Sequence, residues 1–308
     1  MGSDDRGGDH RCRHGEHGRP ADLDRVVTVH GAVELARPSG SATTRAVALD
    51  MEVVITDTAE EAGQVAAGPV LDALAGDPTL VLGVATGESP RPVYRALVQA
   101  HEAGTDFSRM RCFALDEYVG LPPDDPASYH SVIRRDLVEP LDLDPAEVHV
   151  PDGMADDLLA ACAAYEAAIR AAGGIAVQLL GIGADGHIGF NEPTSSLASR
   201  TRIKTLTART RGDNARFFGD SAVPTQCVTQ GLGTILEARH LVLVAFGDRK
   251  AEGVAAAVEG PVSARCPASV IQLHPHATVI VDEAAAAELD LAEYYRNTYA
   301  TKPSWQRL

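Results

Sequence analysis

The chain has 308 residues, 45% of them hydrophobic, and a formal net charge of -16. That is enough for one large α/β domain or two small ones. The charge argues against nucleic acid or an anionic membrane as the main partner, but not against a small anionic ligand held by local cations and backbone N–H groups.

Residues 1–48 are rich in Gly, Arg, Asp and His and lack apolar periodicity, so a disordered N-terminal extension is expected there, with residues 49–308 as the catalytic α/β domain. His10, Cys12, His14 and His17 lack the second Cys/His pair that would complete a zinc site. No apolar h-region opens the chain, and no segment approaches the ~18 apolar residues of a membrane span. Cys12, Cys112, Cys162, Cys227 and Cys266 show no paired spacing, so reduced thiols and a cytoplasmic location are expected.

From Met51 the pattern is regular. "MEVVI" predicts a strand, and Thr58 with Glu61 a capping box opening a helix. Residues 79–85 predict a buried strand, followed by "TGESP" and a helix from about Ser89 to His101. A strand over 111–115 ends at Asp116, and a proline-rich loop follows. Helices are predicted over 127–138 and 154–172, strands over 175–181, 240–246 and 277–282, and further helices over 249–258 and 283–289. Apolar strands alternating with amphipathic helices imply a single open, mostly parallel sheet covered on both faces, a Rossmann-like three-layer α/β/α fold. In such sheets ligands gather beyond the carboxyl ends of the strands.

Three strand-end loops carry unusual polar residues. In "GVATGESP" (83–90), Thr86, Gly87 and Ser89 precede a helix start; this suits an anion, and equally suits an ordinary strand-to-helix turn. In "FALDEYVGL" (113–121), Asp116 or Glu117 could be a partly desolvated general base, or could cap a turn. "GIGADGHIGFNEP" (181–193) satisfies G-x-G-x-x-G, but Asn191-Glu192-Pro193 interrupts any following helix. The position about twenty residues on, where a ribose-binding acid is expected, is basic, so a dinucleotide site fails in context. Asp185, His187 and Glu192 could hold a divalent ion, but no second histidine stands at ligand spacing. An acid-base centre fits better: two carboxylates orient the imidazole, which moves a proton between oxygens near neutral pH. Arg200, Arg202, Lys204, Arg216, Arg249 and Lys250 are downstream cations within reach of an anion, and Lys250 stands in the first turn of a helix, where a cation opposes the helix dipole and an anionic ligand would relieve the conflict.

The ordered blocks "LGVATGESPRPVYRAL", "LDEYVGLPPDDPASYH", "LLGIGADGHIGFNEPTSSLASRTRIKTLT", "NARFF", "VTQGLGTIL" and "GDRKAEGVAAAVEGPV" resemble the glucosamine-6-phosphate deaminase (isomerase) family over about Met51 to Glu288. The resemblance implies conversion of glucosamine 6-phosphate and water to fructose 6-phosphate and ammonia, a hydrolysis of an amino-sugar C–N bond with isomerisation, in amino-sugar catabolism. It implies no metal and no organic cofactor. It makes Asp116 the base that moves the C2 proton toward C1 and His187 the ring-opening group, oriented by Asp185 and Glu192. Thr86, Gly87, Ser89, Arg216 and Lys250 would bind the phosphate. Ser195, Arg202, Lys204 and Thr205 match an allosteric site that some members carry at a subunit interface, and homo-oligomers occur in the family, hexamers among them. Glu88 departs from the family's small residue in the phosphate loop. It is expected to face solvent, to be neutralised by Arg91, or to signal an amino sugar without phosphate. A phosphogluconolactonase-type hydrolase and a non-catalytic sugar-phosphate sensor are the rival readings.

Overall fold

The computed structural model describes residues 51–303 and 306–308; the expected extension over 1–48 and its His/Cys group lie outside them. Strand β1 (Met51–Thr56) leads into helix α1 (Ala59–Gly76), where Thr58 Oγ1 accepts the Glu61 N–H at 3.1 Å, as the capping pattern predicts. Then follow β2 (Val81–Val84), α2 (Arg91–Glu102), β3 (Arg111–Ala114), β4 (Asp116–Tyr118), α3 (Tyr129–Ile133), β5 (Val148–His149), α4 (Leu158–Ala171) and β6 (Val177–Leu180). The second half contains β7 (Arg202–Thr205), α5 (Ala208–Asn214), β8 (Gln226–Thr229), α6 (Leu232–Ile235), β9 (His240–Ala245), α7 (Ala251–Val258), β10 (Ala277–Asp282) and α8 (Ala292–Ala300).

Seven strands form one parallel sheet in the order β1-β10-β9-β6-β2-β3-β5. Its strands are buried on both faces, which is why they read as continuous apolar runs rather than alternating ones. Successive residues serve opposite cores: Leu241, Leu243 and Ala245 pack on one side, Val242 and Val244 on the other. Chain direction across the sheet reverses between β2 and β6. The carboxyl ends of those two strands therefore flank a topological switch point, where such sheets open a ligand crevice.

The structure departs from the sequence expectations in three places. A second, antiparallel sheet of β4, β8 and β7 stands beside the large one. Residues 283–289 form turns rather than a helix, because the Asp282 carboxylate caps the bend by accepting the Ala285 N–H at 2.8 Å and the Gly247 N–H at 3.0 Å. The helix predicted over 127–138 is α3 continued by a π-helical turn, Arg134–Val138. No helix among the described residues is long and apolar enough to cross a membrane, and Cys112, Cys162, Cys227 and Cys266 are buried free thiols.

Candidate active site

The carboxyl ends of β2, β3, β6 and β9 open onto one cleft of about 820 Å³. Thr86, Gly87, Glu88 and Ser89 line it from the loop after β2, and Asp116 from the start of β4. His187 enters from the loop after β6, Arg216 from the turn after α5, and Lys250 from the turn after β9. Residues scattered over much of the sequence thus converge on one crevice within the size range of small-molecule sites.

Asp116 and Glu117 alternate along β4 and serve different ends. The Glu117 carboxylate is consumed by the backbone. It accepts N–H groups from Tyr118, Tyr129 and His130 at 2.7, 3.1 and 3.0 Å and the Ser128 hydroxyl at 2.6 Å. It therefore pins the start of α3. Asp116 is 5% exposed, and its nearest side-chain donor, the Thr229 hydroxyl, stands at a long 3.4 Å. Burial, then the neighbouring Glu117 charge, push its carboxyl up to about 8. A carboxylate so poorly solvated seeks a proton, which suits a base that must remove one from carbon.

His187 stands on the other wall. Its Nδ1 shares a proton with Asp185 Oδ1 at 2.6 Å. Burial works to raise the Asp185 pKa, but the hydrogen bond and charge of His187 hold it at about 2. Glu192 is 3% exposed. Its Oε1 accepts the Thr207 N–H at 3.1 Å, while Oε2 lies 3.9 Å from His187 Nδ1 and has no hydrogen-bond partner among the described residues. Asp185 thus holds the ring by a direct hydrogen bond, whereas Glu192 Oε2 stands beyond hydrogen-bond distance from it. Two glycines make room. A Cβ at Gly183 would lie 2.2 Å from His187 Cε1. Gly189, at φ +53°, lets the loop pass where a Cβ would meet Thr229 Oγ1 at 3.0 Å and Asp116 Oδ2 at 3.3 Å.

The donor atoms of Asp185, His187 and Glu192 lie within 4.8 Å of one another, so proximity alone allows a metal. Two of the donors are engaged and one is not: His187 Nδ1 faces Asp185 and Glu192 Oε1 holds a backbone N–H, while Glu192 Oε2 has no partner among the described residues. This pattern orients a histidine rather than leaving three donors converging on open space.

Also lining the cleft, Lys250 Nζ donates to the Ile182 carbonyl at 2.6 Å, tying the β9 end to the β6 end. Burial pulls its ammonium below the usual lysine value. The Arg216 guanidinium lies 4.8 Å over the Phe217 ring and pairs with Glu88 Oε2 at 3.1 Å. Glu88 is exposed, as one of the expectations had it, but its partner is corrected: Arg216 rather than Arg91 pairs with it, and Arg91 reaches the other way, to Asp136 Oδ2 at 3.2 Å.

Ser195, Arg202, Lys204 and Thr205 lie outside the cleft lining. Ser195 is buried and donates its hydroxyl to the Glu192 carbonyl at 2.7 Å. Arg202 Nη1 donates to Asn191 Oδ1 at 2.9 Å, and Lys204 and Thr205 follow on β7. Sequence reasoning missed the Tyr118–Tyr129 hydroxyl pair (3.2 Å), braced by Asn214 at 3.0 Å, and the role of Thr229 beside Asp116. The signal for the tyrosines was present: both flank the proline-rich loop.

Residues 55–281 match the family described as glucosamine-6-phosphate isomerases/6-phosphogluconolactonase. The chain is 60% identical over 257 residues to the glucosamine-6-phosphate deaminase of Pseudarthrobacter chlorophenolicus, covering 83% of this chain and 99% of that protein. Among solved structures, a monomeric glucosamine-6-phosphate deaminase superposes with a TM-score of 0.75 at 41% identity, over 77% of this chain and all of that one (100%). The 6-phosphogluconolactonase of Trypanosoma brucei, at 17% identity and a TM-score of 0.64 over 78% of this chain and 99% of that one, shares the fold alone. With the match spanning most of the described domain and the strand-end loops carrying the expected residues, this chain belongs to the glucosamine-6-phosphate isomerase/6-phosphogluconolactonase family.

Proposed function

We propose that this protein is a glucosamine-6-phosphate deaminase acting in amino-sugar catabolism, converting D-glucosamine 6-phosphate and water to D-fructose 6-phosphate and ammonia. The observation that carries the reading is the meeting of Asp116 and His187 on one cleft that Lys250, Arg216 and the Thr86–Ser89 loop also line. His187, oriented by Asp185 and Glu192, shuttles a proton between the ring oxygen and O1 to open the pyranose. Asp116 then takes the proton from C2, leaving an enolamine across C1 and C2, and returns it to C1. Water adds to the resulting C2 imine, and ammonia leaves as the ketone forms. Each acid-base contribution is worth about 10²–10⁴-fold.

A lactonase of the same family hydrolyses an ester without moving a carbon-bound proton. It has little use for a buried carboxylate with a raised proton affinity, and Asp116 weighs against it. The test is ammonia release, measured with glucosamine 6-phosphate beside unphosphorylated glucosamine. Release from the phosphorylated sugar alone is expected; no release from it, with 6-phosphogluconolactone turned over instead, sinks the reading. Chelators leave the rate unchanged on this account, and a chelator-induced loss restored by a divalent metal would return Asp185, His187 and Glu192 to the role of ligands.

A further inference from the structure

The cleft contains an anion of the protein's own, paired with Arg216. We propose that Glu88 is an internal counter-anion for Arg216, one that the substrate's phosphate must displace, and that it thereby sets the KM of the enzyme. The inference rests on the reading of Arg216 as a phosphate ligand.

Glu88 and Arg216 come from separate segments, the loop after β2 and the turn after α5, and meet across the cleft at 3.1 Å. Their side chains are 57% and 48% exposed. A pair that wet contributes little to folding and exchanges readily, because each ion can return to water. It is therefore not a structural strut in the way the buried Glu117 carboxylate is. Two other cations near the loop are engaged elsewhere: Arg91 by Asp136, and the Lys250 ammonium by the Ile182 carbonyl.

An arriving phosphate meets two consequences of this arrangement. One of its guanidinium donors is already bound, so part of its binding free energy goes to releasing Glu88. The freed carboxylate then stays tethered within the same loop, beside a group carrying close to two negative charges near neutral pH. Both effects weaken substrate binding, and neither touches the atoms at C1 and C2. A KM-against-kcat split follows. Neutralising the carboxylate without changing its shape, as in Glu88→Gln, lowers KM for glucosamine 6-phosphate about three- to tenfold while kcat stays within about twofold. The inhibition constant of inorganic phosphate falls by the same factor. The gain shrinks at about 1 M salt, where charges this exposed are screened over a few ångströms.

The experiment is steady-state kinetics of the full chain and of Glu88→Gln, Glu88→Ser, Arg216→Gln and the double variant Glu88→Gln/Arg216→Gln, with inorganic phosphate as competitive probe. The expected result is a lower KM and phosphate constant in both Glu88 variants, a higher KM in Arg216→Gln, and little further effect of Glu88→Gln once Arg216 is gone. If Arg216→Gln raises KM but the Glu88 variants leave it unchanged or raise it, Glu88 positions the arginine or is inert. The counter-anion proposal is then wrong while the phosphate site stands. If Arg216→Gln changes neither KM nor the phosphate constant, the phosphate reading fails, and this proposal with it.

Discussion

Adjacent carboxylates on β4 illustrate how environment assigns role at the residue scale. Glu117 spends its oxygens on four donors, whereas the side-chain donor to buried Asp116 is a hydroxyl at a long 3.4 Å. The raised proton affinity of Asp116 has a sign for stability. Its folded pKa, about 8, lies above the ordinary carboxylate value, so the folded state holds a proton that the unfolded chain has lost. The contribution of this group is intact below about pH 4 and is lost as pH rises through about 8. Asp116→Asn, which cannot ionise, should therefore melt progressively higher than the parent between pH 4 and pH 8. The difference should then level off, by about 2–4 °C for each kcal/mol involved. A pH-independent difference in melting temperature would contradict the assignment. Gly183 tests the opposite wall. Because a Cβ there would sit against the His187 ring, Gly183→Ala should lower kcat about 100-fold through misplacement of the imidazole, with phosphate inhibition retained. Wild-type kcat in that variant would mean the ring's position is not critical.

At the scale of elements, what the sequence disclosed followed length and periodicity. The six longer strands of the large sheet were readable as apolar runs punctuated by turns, and the helix start at Thr58 by its capping residues. The strands of the small sheet were not. Asp116–Tyr118 is too short to show a period, and Arg202–Thr205 reads as a basic run rather than as one edge of a ribbon. The candidate catalytic residues were recognisable because they interrupt or follow apolar strands. The Glu88–Arg216 pair was not, because nothing local links those two segments. The small sheet also assigns Glu117 a task that spacing alone could not distinguish from catalysis. By pinning α3 it positions Tyr129, whose ring stacks on Phe190 at 5.8 Å beside the cleft. Glu117→Ala should cost about 2–4 kcal/mol in denaturant unfolding, since it removes the shared acceptor of the buried Tyr118 N–H and Ser128 hydroxyl and of two part-buried N–H groups. A loss under about 0.5 kcal/mol would mean that water replaces the carboxylate.

On the scale of the whole molecule, the sheet order explains why one cleft serves both chemistries. Strands β2 and β6 run side by side but lead their following segments apart, which opens the crevice between the anion loop and the histidine loop. The family match begins at residue 55 and the curated relative aligns over almost its whole length (99%). A chain beginning at Met51 should keep kcat/KM within about threefold of the full chain, the scale of an RT-sized change. A loss of tenfold or more would give the N-terminal residues a part in the reaction. The central claim is that one buried carboxylate moves a carbon-bound proton on a sugar whose ring His187 opens. Its most direct test is exchange of the C2 hydrogen of glucosamine 6-phosphate with deuterium oxide, followed by NMR in the parent and in Asp116→Asn. The account predicts exchange in the parent and none in the variant, with phosphate inhibition preserved; undiminished exchange in Asp116→Asn would contradict it.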